Sequence, residues 1–108
     1  MITLKIKPLS VNDAWKGRRQ KSHVYKKYEQ DIFMLLPNDF IVPDGDLRLN
    51  LEWGFSSAAS DYDNPIKPFQ DCLQKKYNFN DSKIFVGHQE KFKVKKGDEY
   101  IKWELIVR

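Results

Sequence analysis

The segment Leu47-Arg48-Leu49-Asn50-Leu51-Glu52-Trp53 alternates apolar and polar residues without a break. Successive side chains of a strand point to opposite faces, so this pattern demands a sheet with one face buried and the other wet. Something must cover the buried face, and two stretches have the helical period to do it. From about Val24 to Leu36 the apolar residues Val24, Tyr25, Tyr28, Ile32, Leu35 and Leu36 recur at threes and fours. Ser22 is suited to cap this helix, and Pro37 and Asn38 end it. The second stretch runs from about Pro65 to Lys76 and buries Ile66, Phe69, Cys72 and Leu73. Proline suits a first helical position, where its missing N–H costs nothing. Pro68 lies three residues further in, so either the first turn is distorted or the regular helix begins there.

The remaining segments supply further strands. Ile2 to Lys7 alternates and stops at Pro8, and a loop follows to about His23. Residues 37–46, with Pro37, Pro43 and Gly45, read as a second loop. Ile84-Phe85-Val86 continues through Phe92 and Val94 to a turn at Gly97-Asp98. Ile101, Trp103, Leu105 and Val107 then alternate with Lys102 and Glu104 as the partner in a hairpin. The order β-α-β-α-β-β predicts a single α+β (mixed α/β) domain over residues 1–108. Its one mixed sheet would have about four strands covered by two helices.

A chain of 108 residues has room for one core. Cys72 is the sole cysteine, which excludes an intrachain disulfide and a thiolate zinc site; it reads as a packing residue. The first residues alternate apolar with basic instead of running apolar, so no signal peptide is expected. No apolar run approaches the roughly 20 residues that cross a bilayer. A reducing, cytoplasmic setting is the expectation. Net charge is +4, from 19 Lys and Arg against 15 Asp and Glu. That balance favours a polyanionic partner without requiring one.

Both signs of charge are clustered. Asp61 and Asp63 stand two residues apart between a strand and a helix, so in extended backbone both carboxylates face one side. Hard divalent ions such as magnesium are held by a few such carboxylates, with water and phosphate completing the shell. Asp81, at the start of the third strand, would sit at the same sheet edge if that strand lies beside the second. Lys67, one helical turn beyond Asp63, would project on the metal side and contact a phosphate. Carboxylates with a lysine suit metal-assisted phosphodiester hydrolysis. The same residues also suit ordinary work: Asp-x-Asp-Asn before a helix is a capping sequence, Asp81 a turn residue, and Lys67 a solvated lysine. Spacing alone does not decide between the two.

The run Asp61-Tyr62-Asp63-Asn64-Pro65-Ile66-Lys67-Pro68-Phe69-Gln70-Asp71-Cys72-Leu73 resembles the signature of RusA-type crossover junction endodeoxyribonucleases, D-x-D-N-x-x-K-P-x-x-D-x-L. Asn80-Asp81-Ser82-Lys83-Ile84 is similar to the acidic pair that follows it in the family, with Asn80 in place of the first acid. Pro8-Leu9-Ser10-Val11-Asn12-Asp13-Ala14-Trp15 resembles the family's P-x-S-x-N-x-x-[WY]. The resemblance implies Asp61, Asp63 and Asp81 as metal-binding and catalytic aspartates, Lys67 as a catalytic lysine, and Asp71 as a structural helix acid. It further implies a magnesium-dependent homodimer, with manganese as a substitute ion. Such enzymes nick four-way (Holliday) DNA junctions symmetrically in recombination and repair and are often encoded by phages or prophages. Two sites related by a dyad suit a substrate with its own two-fold character.

DNA contact falls to the densest positive group, Lys16, Arg18, Arg19, Lys21, Lys26 and Lys27, in a loop leading into a helix. Its ordinary reading is a solvated loop and helix face. A second group, Lys91, Lys93, Lys95 and Lys96, belongs to the exposed face of a strand. Trp15, Trp53 and Trp103 read as core, and His23 and His88 as structural or surface residues. Two alternatives accompany the junction nuclease. One is a non-catalytic DNA-binding module that kept the fold, suggested by Asn80. The other is a nuclease for flaps, forks or RNA.

Overall fold

Leu47, Leu49, Leu51 and Trp53 all turn to the buried side of one strand, while Arg48, Asn50 and Glu52 occupy its other side, half-buried. In the computed structural model, which describes residues 1–10 and 20–108 together with the backbone of 15–16, this strand is β4 (Leu47–Phe55). It is one of the two inner strands of four in the order β1-β6-β4-β5, where β1 is Ile2–Leu4, β5 is Ile84–Lys93 and β6 is Tyr100–Val107. A two-stranded ribbon of β2 (Trp15–Lys16) and β3 (Gln20–Lys21) stands where a plain loop was expected. The helices are α1 (His23–Leu35) and α2 (Ile66–Tyr77). The main elements follow the predicted order in a single α+β domain with a mixed sheet. Among the described residues, no helix is long and apolar enough to cross a membrane.

Both helices start and stop for local reasons. The Ser22 hydroxyl accepts from the Tyr25 amide at 3.1 Å, satisfying one of the free donors of the first turn of α1. In α2 the first helical bond runs from the Phe69 amide to the Pro65 carbonyl at 3.3 Å. Pro68 therefore falls inside the first turn, where no N–H is required, and the helix passes through it undistorted by a lost bond. At the other end Asn78 adopts a left-handed conformation (φ 52°, ψ 58°), which asparagine tolerates better than most residues.

The sheet departs from expectation in its pairing. The turn at Gly97-Asp98 forms, with Gly97 at φ +99° and the Asp98 amide donating to Lys95 at 2.9 Å. The strands it joins are not partners. β6 lies between β1 and β4, antiparallel to both, and β5 pairs parallel to β4 on the far side. Burial explains the choice. Ile101, Trp103 and Leu105 of β6 are fully shielded from water, which only an inner position beneath the helices allows. β5 carries Lys91 and Lys93 and is exposed along most of its length, as suits an edge strand. β1 is also shorter than its alternation suggested, because the Ile6 amide bonds back to the Leu4 carbonyl at 3.0 Å and turns the chain out of the sheet.

The core joins one face of the sheet to Tyr25, Tyr28, Ile32 and Leu36 from α1 and its end, and to Phe69, Cys72 and Leu73 from α2. Trp53 and Trp103 are completely buried, as the sequence indicated. The uncovered face is knitted by polar side chains instead: Asn50 donates to Glu104 at 2.8 Å and Tyr100 to Glu52 at 2.6 Å. Phe69→Ala should cost about 3–5 kcal/mol in urea denaturation, the range for a truncated buried aromatic. Ser22→Ala should cost only about 1 kcal/mol, the worth of a cap.

Candidate functional site

The acidic segment lies between the end of β4 and the start of α2, and its approach is held by a lysine. Lys91 of β5 donates to the carbonyls of Ala58 (3.0 Å) and Ser60 (2.7 Å), fastening the loop immediately before Asp61. From the sequence alone Lys91 reads as one of several strand lysines facing solvent. Asp61 and Asp63 are both exposed. The Asn64 side chain donates to Asp61 at 3.3 Å, and the Asp63 carbonyl receives the Ile66 amide at 3.2 Å. Asp61 and Asn64 also border a cleft of about 880 Å³ whose other walls include Lys7, Lys27, Tyr28 and Phe55.

Asp81 does not share a sheet edge with the first two acids. β4 and β5 run parallel with Leu47 opposite Ile84, so the chain leaving Phe55 and the chain entering Ile84 are at opposite ends of the pair. Asp81 instead arrives by way of the helix. The left-handed Asn78 folds the following residues back, and a 3-10 turn, Asp81–Lys83, sets Asp81 against α2. There its amide donates to Gln74 at 2.9 Å and its carboxylate accepts from Gln70 at 3.0 Å. Asn80 caps this turn, its side chain accepting from the Ser82 amide at 2.9 Å. That neutral residue therefore has a structural duty of its own.

Lys67 pairs with the acids of the helix and the turn. Its ammonium is 2.9 Å from Asp71, one turn along the helix, and 3.8 Å from Asp81. The hydrogen bond Lys67 donates to Asp71 raises the lysine's pKa, helped by the charges of Asp71 and Asp81 against a smaller opposing effect of burial. Lys67 is thus firmly cationic, while its side chain remains 60% exposed and open to an anionic ligand. Asp71 is paired with Lys67 and also accepts from Gln74 at 3.3 Å. The carboxylates do not gather further: among the described residues, no group of three or more His, Cys, Asp or Glu side chains is placed to hold a metal ion. Their oxygens are the right donors for a hard cation. Their arrangement is not, because Asp81 faces Lys67 and Gln70 while Asp61 faces Asn64.

The expected DNA-contacting group is divided. Arg18 and Arg19, and the side chain of Lys16, lie outside the described residues. Lys26 is exposed, and Lys27 makes a solvent-exposed contact with Asp31 at 3.3 Å. Lys21 is occupied: it donates to Glu29 at 2.8 Å and its ammonium sits 5.0 Å from the centre of the Tyr25 ring. Lys75 of α2 reaches the other oxygen of Glu29 at 2.7 Å. One carboxylate thereby ties the end of the basic ribbon to both helices. His23 borders the same cleft as Asp61 and Lys27, while His88 contacts Glu90 on the open face at 2.9 Å.

Compared with models of known protein families and with curated proteins, the chain matches none.

Burial pushes the Glu29 carboxyl up, but the hydrogen bonds from Lys21 and Lys75 outweigh it and hold its pKa below the ordinary 4.5. A carboxylate with a lowered folded pKa stabilises the fold above its unfolded pKa, and that contribution disappears as pH falls through the folded value. Glu29→Gln should therefore lower stability by about 1–2 kcal/mol at pH 7. The two proteins' urea midpoints should converge as the pH is taken below 4.5.

Proposed function

We propose that this chain is an endonuclease for branched DNA, with the four-way junction as substrate and recombination and repair as its setting. The observation that carries the reading is the meeting of Lys67, Asp71 and Asp81 at an exposed position, with Lys67 one helical turn after Asp63. A lysine kept cationic yet open to solvent suits contact with a phosphate, where it would steady the charge that develops as the phosphodiester is cleaved. Lys26 and Lys27 add positive charge on α1, and Lys27 borders the same cleft as Asp61. Resemblance supplies the remainder: the junction as the particular substrate, and a homodimer whose two sites match the junction's two-fold character.

The reading also calls for a divalent cation, magnesium or manganese, at Asp61, Asp63 and Asp81. Asp61 and Asp63, on their exposed loop, would have to close on Asp81 from the separated positions the three hold here. Their separation is what favours a second reading, a DNA-binding module of the same fold without turnover.

Purified protein incubated with junction, flap, duplex and RNA substrates, with and without magnesium, separates the readings. Symmetric nicks confined to the junction and dependent on magnesium are the expected result. Binding without cutting selects the second reading, and preferential cutting of flaps or RNA replaces the junction by another substrate. Asp63→Asn should keep the fold and junction affinity while the cleavage rate drops by roughly 10²-fold or more. Cleavage by that variant at the wild-type rate would falsify the assignment.

A further inference from the structure

Lys67 closes, by an ion pair to Asp81, a ring of hydrogen bonds in which each donor and acceptor is fixed. Gln74 donates through Nε2 to Asp71 Oδ1 at 3.3 Å and accepts through Oε1 from the Asp81 amide at 2.9 Å. The same Asp71 oxygen receives the Lys67 ammonium at 2.9 Å. Lys67 also stands 3.8 Å from Asp81 Oδ2, the atom to which Gln70 donates at 3.0 Å. A backbone N–H only donates and a carboxylate only accepts, so neither end of the Gln74 amide can be exchanged for the other.

Residues 67, 70, 71 and 74 are spaced i, i+3, i+4 and i+7, which places them on one stripe of α2. The opposite stripe of the same helix, Phe69, Cys72 and Leu73, is wholly buried in the core. The ring is therefore mounted on a rigid element and not on a free loop. It also bridges a gap in sequence: Asp81 belongs to the turn before β5, where its carbonyl accepts from the Ile84 amide, yet its own amide and carboxylate are held by two glutamines of α2. An aspartate meant only to start that turn would need the capping bond that Asn80 already supplies. Fixing both its amide and its carboxylate does something more: it determines where the second anion beside Lys67 stands.

Resting on the endonuclease reading, we propose that Gln70 and Gln74 are positioning residues. They hold Asp81 and Asp71 about Lys67 and so set the point at which the ammonium meets the scissile phosphate.

The test uses the full chain carrying Gln70→Leu, Gln74→Leu or Gln74→Glu, with lysine side-chain nitrogens labelled for NMR. Each leucine variant should bind a four-way junction within about twofold of wild type, while the single-turnover cleavage rate falls roughly 10²-fold, the usual result of a small misplacement. The Lys67 Nζ signal should move in both. In Gln74→Leu the Asp81 amide should exchange with solvent at least about tenfold faster, with the amides of β4 and β6 unchanged. Gln74→Glu keeps the acceptor for that amide and loses the donor to Asp71. It should therefore restore slow exchange at Asp81 without restoring the cleavage rate. Wild-type cleavage in the leucine variants overturns the proposal, as does a loss of rate matched by loss of junction binding. So does faster exchange spread equally through β4. A wild-type chain that cuts no junction removes the endonuclease reading instead, and an unmoved Lys67 signal with unchanged Asp81 exchange then removes this inference separately.

Discussion

The burial of Trp103 is the contact on which the rest of the molecule depends. It lies on β6, has no exposed surface, and meets three other rings at once: Phe40 at 5.2 Å, Tyr77 at 6.0 Å and Phe69 at 6.4 Å between centroids. Those rings come from the loop after α1 and from the two ends of α2. A single side chain thus ties an inner strand of the sheet to its cover. Phe40 meets Trp103 edge to face and the two rings of α2 pack tilted against it, so the helix cannot slide without disturbing all of them. The cluster has a cost. Among the described residues, the indole nitrogens of Trp53 and Trp103 and the Tyr28 hydroxyl are buried without a hydrogen-bond partner, a penalty of about 1–3 kcal/mol for each. The apolar area gained by burying whole rings exceeds it.

Because that packing fixes α2, it fixes everything mounted on the helix's other side. Lys76 bonds the Phe33 carbonyl at 3.0 Å and the Asn38 side chain at 2.6 Å, and Tyr77 donates to the Pro37 carbonyl at 2.7 Å. The end of α2 is thereby pinned to the end of α1. The turn at Asn78 starts from this pinned point, which is why the short segment after it can return Asp81 to a defined place beside Gln70 and Gln74. Charge then acts over a short range on an already rigid frame. Lys67 gains its raised pKa from a neighbour on its own helix and only secondarily from Asp81. Burial also makes Cys72 inert as a nucleophile, its thiol pushed up to about 12.

The basic residues are not one patch. Lys21 and Lys75 are committed to Glu29 and serve the fold, whereas Lys26 and Lys67 remain open to solvent. Total charge therefore overstates what a polyanion would feel. An anionic ligand would meet the exposed lysines beside an acidic segment, a mixed field that rewards correct placement of the phosphates more than simple attraction.

Local patterns in the sequence settled what depends on neighbours in the chain. The strict alternation of β4, the threes and fours of both helices, the Ser22 cap and the start of α2 near Pro65 are all properties of a few consecutive residues. Periodicity and capping chemistry are written in such windows, and the buried tryptophans followed from the same alternation. Pairing was different. Nothing in β5 or β6 states that the turn at Gly97 joins strands lying on opposite sides of β4. That outcome is a competition for the inner position, won by Ile101, Trp103 and Leu105 against a strand bearing Lys91 and Lys93. The site shows the same division. Its residue types and the spacing of Lys67 from Asp71 were legible, because one helical turn brings them together. The placement of Asp81 away from Asp61 and Asp63, the bonds made by Gln70 and Gln74, and the grip of Lys91 on the loop before Asp61 were not. Each requires knowing which segments come to lie side by side, and only the packing of the whole chain decides that.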